Sequence, residues 1–249
     1  MATVPAITFD FHNTLASCDR WFALEVRDLP GAVLDRVRPG LPAELDVPSG
    51  DEVTATYRAL RGEVIEHGVE IDAVAGTLET LRRLGIEVRE GQVQPAIDDL
   101  MRGALVDLRP MEGALETVRA LHADGFPLGV VSSAVHHPFL EWSLASFGIL
   151  DLFTTVVTSA SAGFYKSRPE IYQRALDDLG VDAASSVHVG DSHRWDHVTP
   201  SALGIRTVLV SSAGAVDPSG PLPSLALSTL VDAAKPIADL ARGGSARSA

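Results

Sequence analysis

Three short apolar runs in this chain each end on a small polar cluster, and segments of helical period separate them. Val4 to Phe9 ends at Asp10-Phe11-His12-Asn13-Thr14, Pro127 to Val131 at Ser132-Ser133, and Val187 to Val189 at Gly190-Asp191. Phe153 to Thr158 and Thr207 to Val210 read as two further strands. The spacing predicts helices from Glu112 to Ala123, with Gly125 as the stop, and from Phe139 to Phe147. Another runs from Pro169 to Leu179, where proline is tolerated in the first turn and Gly180 ends the pattern. Ser201-Ala202-Leu203 sits in a short helix stopped by Gly204. A last helix is expected over Thr229 to Leu240, kinked at or started from Pro236. Strand and helix alternating in this way demand parallel strands joined by right-handed crossovers. The fold class is therefore α/β, a doubly wound parallel sheet.

One long stretch interrupts that alternation. From Ala16 to Arg109 no run looks like a buried strand. Val53, Tyr57, Leu60 and Val64 recur at helix spacing, as do Val74, Leu78 and Leu81. Ile97, Leu100, Met101, Ala104 and Leu105 form a third such set. The proline- and glycine-rich piece from Leu29 to Gly50 reads as helix–loop–helix. The expected organisation is an α/β core over 1–15 and 110–242, a helical cap over 16–109, and a disordered tail over 243–249.

Composition narrows the function classes. The formal net charge is −13, with 46% hydrophobic and 21% charged residues. That balance suits a folded globular chain and argues against non-specific binding to nucleic acid or an anionic membrane. The single cysteine, Cys18, rules out an intrachain disulfide framework and reads as an apolar filler. No signal-peptide pattern and no apolar run near ~20 residues is present, so a cytoplasmic location is expected. Only Lys166 and Lys235 are lysines among 20 basic residues. A lysine here is less readily dismissed as surface decoration.

In an open parallel sheet, ligands bind beyond the carboxyl ends of the strands. Asp10 to Thr14, Ser132-Ser133, Lys166, and Gly190-Asp191 with Asp196 should therefore meet at one edge. Their chemistry suits phosphoryl transfer. Grouped carboxylates can hold Mg2+, an ionised Asp can act as nucleophile, and Lys and Ser can stabilise charge on the transferring oxygens. The competing structural roles are a helix cap for Ser132 and a helix-terminal carboxylate for Asp196.

These clusters resemble the four motifs of the haloacid dehalogenase superfamily of hydrolases. Asp10-Phe11-His12-Asn13-Thr14 matches its first motif, Asp-x-Asp-x-Thr. Ser132 matches the second, Lys166 ahead of the Pro169 helix the third, and Gly190-Asp191-Ser192 with Asp196 the fourth. The resemblance implies that Asp10 forms an aspartyl-phosphate and that Ser132 and Lys166 stabilise the transferring group. Thr14 and Ser133 would bind substrate. Asp10, the backbone carbonyl of His12, Asp191 and Asp196 would hold Mg2+, with Asp196 either a ligand or a group that orients its waters. A small phosphorylated metabolite is the implied substrate; no oligomeric state follows.

One position departs from the family pattern. Its phosphatases usually carry a second Asp two residues after the nucleophile, as acid and base; here it is His12. Imidazole can do both jobs near neutral pH, or the ring can simply pack under the cap. A slow phosphatase, a phosphotransferase or a non-catalytic phospho-ligand binder is the alternative that His12 raises. His136, His137, His193 and His197 lack compact metal-ligand spacing and read as loop polarity or substrate contacts. Arg168 reads as a solvated residue. Within the superfamily, the Gly-Asp-Ser motif argues against a metal-free dehalogenase. The lysine-free helical stretch argues against a Schiff-base phosphonatase, and the loss of the acid/base carboxylate argues against a phosphomutase.

Overall fold

The computed structural model describes residues 4–211 and 221–243. The chain begins with β1 (Ala6–Phe9), four buried residues, and turns tightly into the two-residue β2 (Ala16–Ser17). Helix α1 (Asp19–Ala23) continues through a π-helical stretch, Leu24–Asp28, into α2 (Leu29–Val37). Then come α3 (Gly50–His67), α4 (Ala73–Arg83) and α5 (Glu90–Ala104). The start of α3 is set by a capping box: the Glu52 amide donates to Ser49 Oγ, and the Ser49 amide donates to Glu52 Oε2 at 2.8 Å. Its buried stripe is Val53, Tyr57, Leu60, Arg61 and Val64, which contains the periodic set read from the sequence. β3 (Arg109–Pro110) pairs antiparallel with β2, so the chain leaves the sheet and re-enters it through one narrow ribbon.

The remaining elements alternate. They are α6 (Ala114–Ala123), β4 (Leu128–Ser132), α7 (His137–Ser146), β5 (Thr155–Thr158), α8 (Ser159–Ala162), α9 (Pro169–Leu179), β6 (Ser186–Gly190), α10 (Thr199–Ala202), β7 (Arg206–Val210), β8 (Leu225–Leu227) and α11 (Ala234–Ala241). The main sheet has the order β5-β4-β1-β6-β7-β8, and every pairing in it is parallel. Strand order reverses between β1 and β6, and a sheet of this kind opens its ligand crevice at that reversal. Helices α6 and α11 pack together on one face, while α9 lies on β4 and β5. Ile171, Tyr172, Ala175 and Leu176 of α9 bury against Val131 and Val157. The helical segment shares the larger core with the sheet: Trp21 of α1 stacks on Phe139 of α7 at 5.1 Å, and Phe11 meets both rings edge-on.

Two expectations need correction at the C-terminal side. The last helix starts at Ala234, not at Thr229 or Pro236. Asp232 adopts a left-handed φ of 53°, and the Leu230 carbonyl accepts a 2.8 Å hydrogen bond from Thr117 Oγ1 instead of a helical amide. The short edge strand β8 was not anticipated. Of the expected disordered tail, all but Gly243 lies outside the described residues.

Candidate active site

Three neighbouring strands, β4, β1 and β6, deliver their ends side by side. Asp10 follows β1 directly, with its amide donating to the Val189 carbonyl of β6 at 2.8 Å. Ser132 is the last residue of β4, and Gly190-Asp191 closes β6. The turn after Asp10 winds back on itself: the amides of Leu15 and Ala16 both donate to the Phe11 carbonyl at 2.9 Å. Asn13 takes the left-handed φ of 61° that this turn requires, a conformation Asn tolerates better than most residues.

A cavity of about 340 Å3 opens over these strand ends, lined on the sheet side by Asp10, His12, Ser132, Ser133, Lys166 and Asp191, with Asp196 at its floor. Lys166 Nζ donates to Asp10 Oδ1 at 2.5 Å and to Asp196 Oδ1 at 2.6 Å. All three side chains are at least nine-tenths buried. Asp196 is held from two more directions. His188 Nε2 lies 3.1 Å from its Oδ1, and the Ser192 amide donates to its Oδ2 at 2.9 Å. Burial lowers the His188 pKa, and the other ring nitrogen, Nδ1, lies 2.9 Å from Thr8 Oγ1. Gly190 is required beneath this arrangement, since a Cβ there would overlap the Asp196 side chain.

The electrostatics follow from crowding. Burial pushes the Asp10 carboxyl up to about 7 against the pull of Lys166, and Asp196 and Asp191 add to the rise. Burial and Asp196 push Asp191 up to about 6. Asp196 stays well below the usual carboxylate range, because Lys166 and His188 outweigh its burial. Burial opposes the charge on Lys166, yet the two carboxylates hold it firmly protonated. Carboxylate oxygens of Asp10, Asp191 and Asp196 all lie within 4.8 Å of one another. Clustered hard oxygen donors suit a divalent cation such as Mg2+, whose charge would relieve the crowding that raises Asp10 and Asp191. Both oxygens of Asp196 are already engaged, so Asp10 and Asp191 are the better first ligands and Asp196 fits as an anchor for Lys166.

His12 sits between the sheet and the helical segment. Its ring stacks on Phe22 at 4.5 Å and meets Trp21 edge-on at 5.4 Å. Burial lowers its pKa against the opposing pull of Asp19, and its Nε2 is buried without a hydrogen-bond partner. Ser133 Oγ is likewise buried and unpartnered. Thr14 is not on this cavity. It faces a neighbouring one of about 440 Å3, whose wall it shares with Asn13 and Asp191.

The other histidines stay away from these groups. His136 Nε2 pairs with Asp98 at 2.9 Å and His137 Nδ1 contacts Thr158 at 3.1 Å, while His193 and His197 both reach the Pro221 carbonyl. Arg168 forms an ion pair with Glu170.

The helical segment supplies residues that sequence reasoning did not single out. Glu25 lines the cavity and accepts from the Val135 amide at 2.9 Å; burial pushes its carboxyl up to about 7. Arg61 makes a two-pronged pair with Glu70, at 2.5 and 3.0 Å. The loop carrying Lys166 is clipped to that neighbourhood, with the Glu70 amide donating to Gly163 O and the Tyr165 amide to Gly68 O. Two arginines of the helical segment, Arg58 and Arg61, line the cavity wall. Glu25 and Glu70 carry no local signal in the sequence, because their partners lie far along the chain or on another element.

Comparison with known proteins agrees with this geometry. Residues 4–197 match the family model of haloacid dehalogenase-like hydrolases. Human haloacid dehalogenase-like hydrolase domain-containing protein 3 is 36% identical over 108 residues, a match that spans 43% of this chain and 42% of that protein. A glyceraldehyde 3-phosphate phosphatase of Pyrococcus abyssi is 26% identical over 206 residues, covering 82% of this chain and 80% of the relative. A 2-haloacid dehalogenase structure from Pseudomonas syringae shares the fold, with a TM-score of 0.67 at 22% identity over 97% of this chain and 100% of that one. With the family model spanning most of its length and the doubly wound sheet in place, the chain belongs to the haloacid dehalogenase-like hydrolases.

Proposed function

We propose that this hydrolase cleaves small-molecule phosphate monoesters through an aspartyl-phosphate on Asp10, with Mg2+ held by Asp10, Asp191 and the His12 carbonyl. The observation that carries the reading is the buried Lys166 ammonium bridging Asp10 and Asp196 at the floor of the cavity. A dehalogenase nucleophile needs no second and third carboxylate beside it, whereas a phosphoryl group entering with its own negative charge needs a cation there. When bound, Mg2+ supplies positive charge that lowers the repulsion between Asp10 and the incoming phosphate.

In the first half-reaction an Asp10 oxygen attacks phosphorus, and the bond from phosphorus to the ester oxygen breaks. Lys166 and the Ser132 hydroxyl donate to the phosphoryl oxygens as charge shifts onto them. The leaving oxygen takes a proton from His12 when the ring carries one, or from water. In the second half-reaction water attacks the same phosphorus, its proton passes to His12 Nε2, and Asp10 leaves as carboxylate with inorganic phosphate. The lowered His12 pKa favours this base role over the acid role. Ser133 binds substrate through its backbone amide, and Thr14 supports the turn that aims Asp10.

The helical segment 16–109 acts as a cap on the core formed by 1–15 and 110–242, closing over the leaving group and excluding water. A phosphorylated metabolite as substrate and a cytoplasmic location go with this reading. Among the described residues no helix is long and apolar enough to cross a membrane. One observation favours a second reading: His12 is stacked on Phe22 rather than free. If its ring stays packed there, breakdown of the aspartyl-phosphate is slow and an acceptor other than water can take the phosphoryl group. The test is hydrolysis of p-nitrophenyl phosphate with and without Mg2+. Turnover that requires the metal and vanishes in Asp10→Asn supports the proposal; metal-independent turnover, or none, contradicts it.

A further inference from the structure

The cap wall of the cavity has a chemistry of its own. Helix α3 turns its Val53, Tyr57, Leu60 and Val64 stripe into the core, and Arg58, Arg61, Gly62 and Ile65 form part of the cavity lining. These four fall at helix positions i, i+3, i+4 and i+7, which share one face. The two arginines differ. Arg61 is saturated by both oxygens of the buried Glu70. Arg58 is exposed and pairs with no carboxylate among the described residues. The third cation of the cavity, Lys166, is committed to Asp10 and Asp196. Arg58 is therefore the cavity-wall cation whose charge is not already answered within the protein.

Gly62 adds an independent observation. Glycine weakens a helix interior relative to alanine, and packing does not demand it here. A Cβ on Gly62 would meet no atom within 4 Å. It leaves the cavity-facing side of α3 without a side chain between Arg61 and Ile65.

We propose that the leaving group of the substrate lies along this wall and carries an anionic group, a carboxylate or a second phosphate, that pairs with Arg58, while its apolar part rests against Gly62 and Ile65. The proposal rests on the phosphatase reading above and deepens it to a substrate class. Phosphate binds at the strand ends and the second anion binds the cap, so the substrate spans the two and holds them together. A guanidinium recognises either anion through paired N–H donors.

The experiment uses two matched pairs of esters in Mg2+ buffer: 4-carboxyphenyl phosphate against phenyl phosphate, and 1,3-propanediol bisphosphate against n-propyl phosphate. In one pair or the other the wild-type protein should show the higher kcat/KM for the anionic member. Arg58→Gln should cut that preference by about 10- to 100-fold, as loss of a charge-assisted pair does, and Arg58→Lys should restore part of it. The pair that shows the preference identifies the anion. Gly62→Leu should raise KM for all four esters by about 10-fold with a smaller change in kcat, the mark of lost uniform binding. Equal kcat/KM within both pairs, or a preference that survives Arg58→Gln, overturns the proposal. Binding is read separately in Asp10→Asn by quenching of Trp21 and Trp195 fluorescence. An Arg58-dependent preference in binding with no turnover of any ester sinks the phosphatase reading and leaves the anion site standing. Turnover without preference sinks the anion site alone.

Discussion

The side chain of Asp196 occupies the space that a Cβ on Gly190 would need. Asp196 cannot step aside cheaply, because Lys166, His188 and the Ser192 amide hold its two oxygens. Gly190→Ala should therefore displace Asp196 and, through Lys166, Asp10. The expected result is a loss of at least about 100-fold in kcat/KM together with a destabilisation of roughly 1–3 kcal/mol, the range for forced overpacking. Melting and turnover measured on one preparation check this; a Gly190→Ala protein with wild-type values for both contradicts it.

Removing Lys166 should leave Asp10 and Asp196 buried side by side without their cation. Breaking a buried pair from one side costs about 3–5 kcal/mol. In Lys166→Met that cost should shrink as pH falls, since protonating one carboxylate relieves the repulsion. Denaturant unfolding at pH 5 and pH 8 reads the difference, and a deficit equal at both pH values contradicts the arrangement. Turnover should fall by about 1,000-fold or more with the loss of phosphoryl-oxygen stabilisation.

His12 makes a prediction about leaving groups. A ring whose pKa is lowered by burial is mostly neutral at pH 7, a base without a proton to give. Phenyl phosphate, whose leaving oxygen needs little protonation, should be turned over much faster than n-propyl phosphate. His12→Asp should preserve or raise turnover of the alkyl ester and narrow the gap. Complete loss of activity in His12→Asp shows instead that the imidazole has a role a carboxylate cannot fill.

Glu25 makes a prediction about stability. Burial raises its carboxyl to about 7 in the folded protein, against an ordinary value of 4.5. The folded state therefore binds the proton more tightly than the unfolded state. Its contribution is fully present below about pH 4.5 and is lost as pH rises through about 7. At ~1.4 kcal/mol per unit, the loss is on the order of a few kcal/mol. Glu25→Gln keeps an acceptor for the Val135 amide and removes the titration. The stability of wild type relative to Glu25→Gln should fall between pH 4.5 and 7; a constant difference across that window contradicts the assignment.

The parts of the fold written in local pattern were legible in the sequence. Pro169 and Gly180 mark α9 to the residue, and the ends of β1, β4 and β6 fall within two residues of their apolar runs. Where distant contacts decide, the pattern misled. The expected helical start at Thr229 is irregular because Leu230 serves Thr117 and lies against Gly113. The three-residue β8 is too short to show a period and gains its place from β7. At the site, Asp10, Ser132, Lys166, Asp191 and Asp196 come together around one cavity because sheet topology gathers strand ends. Glu25 was invisible because it reads as an ordinary carboxylate on a helix, and its partner, Val135, is 110 residues away. Thr14 lines the neighbouring cavity, whose wall it shares with Asn13 and Asp191.

The most direct measurement is a search for phosphate on Asp10 itself. Protein mixed with radiolabelled phenyl phosphate and Mg2+, quenched in acid within the first turnover, should retain label that hydroxylamine releases, as it does from an acyl phosphate. Proteolysis should place that label on the peptide containing Asp10, with none in Asp10→Asn and none when Mg2+ is chelated. Ester turnover at the wild-type rate with no acid-stable, hydroxylamine-sensitive label on that peptide would contradict Asp10 as the nucleophile.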